Sequence, residues 1–283
     1  MAPLPHSPEA PLLPAVRPLA ADRPLAWLVL GFRDLARSPL LSLLHGVVMT
    51  LLGWCITWLA HDRFWLLCGA ISGFLVVAPV LATSLYAMSR AHERGEPVDA
   101  ALLLRTWTQW QLRLRLQPDS YWSLIRFGLL LALAATGWVL VSSALITLLA
   151  PVPIRAPIDF LRHVVARNDH WLFELWLLLG GLMAAPVFAS SVISMPLLLD
   201  RQVSVLQAVL TSWKVVLTYP VGMALWAFLI MLFSLLGLLS LFLGLVLVVP
   251  LLGHASWHAY RELVDASQWP ERLGTSAPHD GGQ

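Results

Sequence analysis

The sequence predicts an all-α fold, a polytopic transmembrane helix bundle of about six spans, and three observations carry that prediction. The 283 residues are 58% hydrophobic and only 12% charged, where a soluble domain carries about 25% charged residues. Several uncharged apolar runs exceed the ~18 residues that mark a bilayer-crossing helix. The segments between them are short and polar, as expected of helices that satisfy their own backbone groups in lipid.

The composition also excludes classes. A net charge of +2 is too small for a nucleic-acid surface, and the arginines and the single lysine are spread among loops. Cys55 and Cys68 lie inside apolar runs without metal-site or disulfide spacing, and read as small buried residues.

Residues 1–23 carry prolines at 3, 5, 8, 11, 14 and 18, which forbid a helix and leave no apolar signal core; a disordered cytoplasmic tail is expected. The domain then runs over 24–264, with a second disordered tail over 265–283. Pro24 to Ser38 is an amphipathic surface helix with Trp27, Leu28, Gly31 and Leu35 on one stripe and Arg33, Asp34, Arg37 and Ser38 opposite. Pro39 closes it, and 40–60 form span one. His61-Asp62-Arg63 is a tight turn into span two, about 64–89, where Gly69, Gly73 and Pro79 permit close approach and a kink.

Within 90–120, Leu103, Trp107, Trp110 and Leu114 oppose Arg105, Gln109 and Arg113, a second surface helix. Span three occupies about 127–150, and 151–170 form a loop. Span four, about 171–199, holds Glu174 near the interface together with Gly180, Pro186 and Pro196. Ser204, Gln207, Thr211, Lys214 and Thr218 then stripe a third surface helix, with Trp213 and Val216 on its apolar face.

Residues 221–253 are 33 positions without a charge, too long for one span at 1.5 Å per residue and short for two. A repeat favours two, with a tight turn near Gly237 to Ser240, over one tilted helix. Gly73, Pro79 and Arg90 share their spacing with Gly244, Pro250 and Arg261, and Gly180 to Pro186 repeats the first step. Units of interfacial helix, span and span are expected at about 24–90, 100–201 and 203–262. On this six-span path 14 of the 18 Lys and Arg fall on one side, so both termini are expected in the cytoplasm.

Few residues point to chemistry. His254 and His258 stand one helical turn apart, a spacing that suits a shared metal, a proton role, or an interfacial belt with Trp257 and Tyr260. No glutamate follows in an H-E-x-x-H pattern. His45 lies deep in span one. Apart from Glu174 no carboxylate, Lys or Arg interrupts a span, which disfavours ion-coupled transport and leaves movement of a neutral solute open. The pairs Arg33-Asp34, Asp200-Arg201 and Arg261-Glu262 fall at span ends, either as solvated interface residues or as a salt-bridge ring joining three units.

At GFRDLARSP (31–39), MPLLLDR (195–201) and PLLGHASWHAYRELV (250–264) the chain resembles the bacterial integral membrane family catalogued as domain of unknown function 2189, over about 24–264. The resemblance implies a helical inner-membrane protein without an established activity and supplies no catalytic residues. Some members carry a cytochrome c oxidase subunit I-like label, but that subunit needs six histidines over several spans, and this chain has three in or beside its spans.

The function expected is therefore that of a non-enzymatic inner-membrane protein, without cofactor, that organises partners in the lipid bilayer. The alternatives are a carrier or channel for a small neutral or amphipathic solute, and a haem or metal protein using His254 and His258.

Overall fold

The computed structural model describes residues 12–59, 82–108, 118–154, 157–166 and 171–272, with single helical positions at 67, 70, 71 and 74. Helix α1 (Arg23–Arg37) stops at Ser38, and α2 (Pro39–Leu59) starts at the next residue. Proline suits that first helical position, where its missing N–H would lack a partner anyway. There follow α3 (Thr83–Arg94), α4 (Ala100–Thr108), α5 (Pro118–Leu149), the short α6 (Pro157–Phe160) leading into a π-helical turn Leu161–Val165, α7 (Trp171–Ser191), α8 (Ser194–Asp200), α9 (Val205–Thr218), α10 (Pro220–Leu239) and α11 (Leu245–Leu263). A two-stranded antiparallel pair, β1 (Ala15–Val16) with β2 (Val264–Asp265), joins the two ends of the described chain.

Among the described residues, four helices are long and apolar enough to cross a membrane: α2, Ile125–Leu149 of α5, the run Trp171–Asp200 formed by α7 and α8, and α10. The fold is thus an all-α membrane bundle. Most of the expected second span, with Gly69, Gly73, Pro79 and Cys68, lies outside the described residues, as do Trp110 and Leu114 of the second surface helix. α11 is apolar in its first half and polar in its second.

The uncharged run 221–253 is two helices separated by a turn at 240–244. Ser240 Oγ donates to the Gly237 carbonyl at 2.8 Å and accepts from the Gly244 amide at 2.7 Å. Leu241 and Phe242 sit in left-handed backbone (φ 56° and 68°), a strain of about 1–3 kcal/mol each. α2 offsets it, since Thr50 Oγ1 donates to the Phe242 carbonyl at 2.9 Å and Trp54 Nε1 to the Leu241 carbonyl at 2.8 Å.

The run Trp171–Asp200 bends between Ser191 and Ser194. Pro196 has no N–H for the Val192 carbonyl and its ring crowds that carbonyl, which favours an interruption here. The Ile193 amide donates instead to Ser212 Oγ of α9 at 3.2 Å. α9 itself begins with a capping box between Ser204 and Gln207, the arrangement that satisfies two free amides at once.

The larger of two apolar clusters lies at one end of the bundle, and a smaller one of Ile146, Ile154, Val164 and Leu172 forms apart from it. In the larger, α3 is buried from Thr83 to Ala91, packed among Trp27, Ile193, Met195, Val215, Trp226, Trp257 and Tyr260. We call this end the cap. Toward the other end the spans turn Leu140, Leu148, Leu177, Leu182 and Leu239 outward, as lipid-facing helices do.

Several expectations change. Asp34, placed on the polar side of α1, is 2% exposed. Thr211, on the expected polar stripe of α9, is buried as well, with its hydroxyl donated to the Gln207 carbonyl at 2.7 Å, which removes the desolvation penalty. Cys55, expected to be buried, is exposed on α2. Residues 12–22 and 265–272, assigned to disordered tails, are structured: Arg17 donates its amide to the Leu263 carbonyl at 2.8 Å, and Gln202 and Arg272 bond to Pro270 and Asp200. Prolines exclude helix from these segments but do not prevent extended pairing. Residues 1–11 and 273–283 lie outside the described residues.

Helix contacts need glycine where backbones meet. A Cβ at Gly46 of α2 would run into the Val246 carbonyl of α11, the very carbonyl that Pro250 leaves without a helical N–H. Gly46→Ala is expected to lower stability by about 1–3 kcal/mol through overpacking, whereas Gly181→Ala, which meets nothing within 4 Å, is expected to be neutral. Unfolding midpoints of the two purified variants in the same detergent check this.

Candidate functional site

The second half of α11 places a different polar contact at almost every residue. Tyr260 donates its hydroxyl to Asp200 Oδ2 at 2.8 Å. Asp200 is 2% exposed, closes α8, and pairs with Arg90 Nε of α3 at 3.0 Å and Arg201 Nε at 2.9 Å. Arg261 reaches Glu93 at 2.7 Å, and Trp257 Nε1 donates to the same carboxylate at 3.2 Å. Glu262 accepts from Arg23 at 2.5 and 2.9 Å and from Trp27 Nε1 at 2.9 Å. Glu271, in the terminal segment, pairs with Arg94 at 2.8 Å and Arg201 at 3.6 Å.

The span-end pairs are therefore not simply solvated. Asp200, Arg201, Arg261 and Glu262 form a lock that ties α1, α3, α8 and α11 to the terminal segment, with Asp200 at its centre. Burial pulls the Arg90 guanidinium below its ordinary pKa, opposed by the charge of Asp200. Burial pushes the Glu271 carboxyl up, but Arg94, Arg90 and Arg201 bring it below its ordinary value.

A second polar string runs beside the lock. His258 Nε2 donates to Asp34 Oδ2 at 2.8 Å, since a carboxylate can only accept. Ser89 Oγ meets His254 Nδ1 at 2.7 Å, while His254 Nε2 meets Ser42 Oγ at 3.0 Å. His92 and Ser38 bond at 3.1 Å. His45 donates from Nδ1 to the Leu41 carbonyl at 2.8 Å, so its Nε2 accepts from Ser84 at 2.5 Å. His254 and His258, paired in the sequence as metal ligands, thus have different partners, and both ring nitrogens of His254 are engaged. Among the described residues no group of three or more His, Cys, Asp and Glu could hold a metal ion. His254 is fully buried and His258 partly exposed, and both bond to residues of neighbouring helices.

Two cavities accompany these networks. One of ≈ 290 Å³ is lined by His45, Ser84 and aliphatic residues including Met49, Leu103 and Val249. The larger, ≈ 730 Å³, lies between α5, α7 and α10 and the cap helices α3 and α11, with Trp138, Gly180, Met183, Phe188 and Ile230 in its walls. The described side chains that bring oxygen to it are Tyr86, Ser191 and Ser256, all hydroxyls. Their sequence positions, 170 apart at the extreme, gave no hint that they converge.

Removing the Asp200 carboxylate strands a buried arginine, which costs about 3–5 kcal/mol; Asp200→Ala is expected to lower the unfolding midpoint far more than Tyr260→Phe, which forfeits one hydrogen bond to a charged group, about 1.5–3 kcal/mol. Acid should expose the other network. Burial pushes the Asp34 carboxyl up, but the bond from His258 takes it below its ordinary 3.8. A depressed carboxylate stabilises the fold above the unfolded pKa, and that stability is lost as pH falls through the folded pKa. Below about pH 4 the unfolding midpoint should fall less steeply in Asp34→Asn than in the unmodified protein, measured by acid titration of thermal unfolding.

Compared with known proteins, residues 66–200 match the family described as a predicted integral membrane protein, domain of unknown function 2189. The match covers α3 to α8, including Arg90, Asp200 and Ser191. No curated protein matches the chain, and no solved structure matches it.

Proposed function

We propose that this integral membrane protein, whose segment 66–200 belongs to a membrane family of unknown function, is a non-enzymatic binding protein or carrier for a small amphipathic molecule held within the bilayer. The cavity of ≈ 730 Å³ carries the reading. Its volume falls in the range of small-molecule sites, about 300–1,000 Å³, and apolar walls with a few gathered polar groups are the usual character of such sites. Because its walls come from spans, the route of entry is lateral, from the lipid.

The expectation of partner organisation drew on a tryptophan-rich cytoplasmic surface. Trp27 and Trp257 are interior, and the side chains of Trp107 and Trp110 lie outside the described residues, so the support rests on the cavity. Metal binding through either ring nitrogen would require His254 to give up one of its two serine bonds. In this proposal the cap faces the cytoplasm of a bacterial inner membrane, because 14 of the 18 Lys and Arg lie on that side of a six-span path. The lock pairs Arg23, Arg90, Arg94, Arg201 and Arg261 with carboxylates in the cap, consistent with a site for an uncharged body.

Val187 lines the cavity, and Val187→Trp should fill part of it. Binding of an apolar fluorescent probe to the protein in nanodiscs is expected to weaken by roughly tenfold or more, ~1.4 kcal/mol, in that variant. Equal binding by the two proteins, both folded, would reject the proposal.

A further inference from the structure

We infer that Arg90, Arg94 and Arg201 form a binding site for the phosphate monoester headgroup of an anionic lipid, and that Glu271 of the chain's own terminal segment holds the place of that phosphate. The site stands apart from the cavity and does not rest on the reading of it.

Three guanidiniums converge on one carboxylate there, and it serves only one of them closely. Arg94 Nη2 lies 2.8 Å from Glu271 Oε1, whereas Arg201 Nη1 is 3.6 Å from the same oxygen and Arg90 Nη2 is 3.5 Å from Oε2. Charged N–H···O bonds run at about 2.7–2.9 Å, so two of the three contacts are ion pairs without a full bond. Arg90 is 2% exposed, and its Nη1 has no hydrogen-bond partner among the described residues. Interiors leave few such donors unfilled, so the cluster holds donor capacity that its own chain does not use.

The shortfall is one of oxygens and charge. A carboxylate brings two oxygens and one negative charge. A phosphate monoester brings three oxygens on a tetrahedral head and a charge of about −1.5 to −2 at neutral pH, one oxygen for each guanidinium, and the planar fork of arginine suits it. A diester leaves two free oxygens and one charge, which gains nothing over Glu271. Asp200, 3.0 Å from Arg90 Nε and 2.9 Å from Arg201 Nε, holds two of the three arginines whether or not Glu271 is among them. Glu96 adds only a 3.9 Å contact to Arg94.

Position and exchange both favour a headgroup. Arg201 directly follows the run Trp171–Asp200, long enough to cross a membrane, so the cluster stands at a span end, where lipid phosphates lie. The Glu271 side chain is 48% exposed. The backbone around it is fastened independently: the Gln202 amide donates to the Pro270 carbonyl at 2.9 Å, the Gln202 side chain to the Glu271 carbonyl at 2.8 Å, and the Arg272 amide to the Asp200 carbonyl at 3.0 Å. The carboxylate can therefore turn to solvent, opening its place beside Arg90 and Arg94, without unfastening the segment.

The test titrates the full chain, in a neutral detergent, with dioleoyl phosphatidic acid or dioleoyl phosphatidylglycerol, and counts bound lipid by native mass spectrometry. Phosphatidic acid, the monoester, is expected to bind at roughly tenfold lower concentration than the diester. Glu271→Ala is expected to tighten phosphatidic acid binding by roughly a further tenfold, because the site is then open in every molecule, and Arg94→Ala to weaken it to the level of phosphatidylglycerol. A purely structural Glu271 would give the opposite sign. Equal binding of the two lipids, or phosphatidic acid binding that Glu271→Ala leaves unchanged or weakens, would overturn the proposal. Displacement of the lipid by an equal concentration of inorganic phosphate would overturn its assignment to a headgroup. If Glu271→Ala does not fold, the two lipids compared on the unmodified protein still decide.

Discussion

The carboxylate of Asp200 is the constraint on which the cap depends. A buried arginine is tolerable only when a countercharge lies beside it, and Arg90, 3% exposed at its side chain, has Asp200 at 3.0 Å. That requirement fixes the end of α8 against α3. The same carboxylate accepts from Tyr260, which fixes the end of α11, and the Asp200 carbonyl accepts the Arg272 amide, which draws in the terminal segment. Three helices and the terminal segment therefore meet at one residue.

Membrane physics explains why so much polar bonding is concentrated there. Between helices in lipid the hydrophobic effect supplies little, so association rests on close packing and on polar contacts. Both devices are used: glycines such as Gly46 and Gly253 let helices approach closely, and in the cap charge is added to that packing. Arg90 and Arg261, which share a spacing from a glycine and a proline in the sequence, both approach Asp200, at 3.0 and 3.9 Å.

The larger cavity sits where the spans meet the cap. Its walls are span residues and its oxygens come from helices that the cap holds in place, Tyr86 on α3 and Ser256 on α11. A site built from hydroxyls next to a dense set of charges works only if the charges are satisfied elsewhere. The pairing of Glu93 with Arg261, Glu262 with Arg23 and Asp34 with His258 meets that condition, and leaves the cavity with dipoles.

The sequence by itself determined the class and the linear plan. Apolarity accumulates along a run, so spans are read by adding up neighbours, and prolines at 39 and 220 mark helix starts because the ring acts on its own backbone. The break of 221–253 into two helices was legible for a similar reason, through a local repeat, although the turn falls at 240–244 and slightly beyond the expected place. The candidate site was far less legible: His254 and His258 could be singled out, but not Ser42 and Ser89, which hold the first, nor Asp34, which holds the second. Tertiary structure alone decided which charges are buried, that the segments at 12–22 and 265–272 are ordered, and that Tyr86, Ser191 and Ser256 share a cavity. The physical reason is separation. These contacts join residues from 60 to more than 200 positions apart, and a hydrogen bond or ion pair across such a distance leaves no periodicity in the chain that makes it.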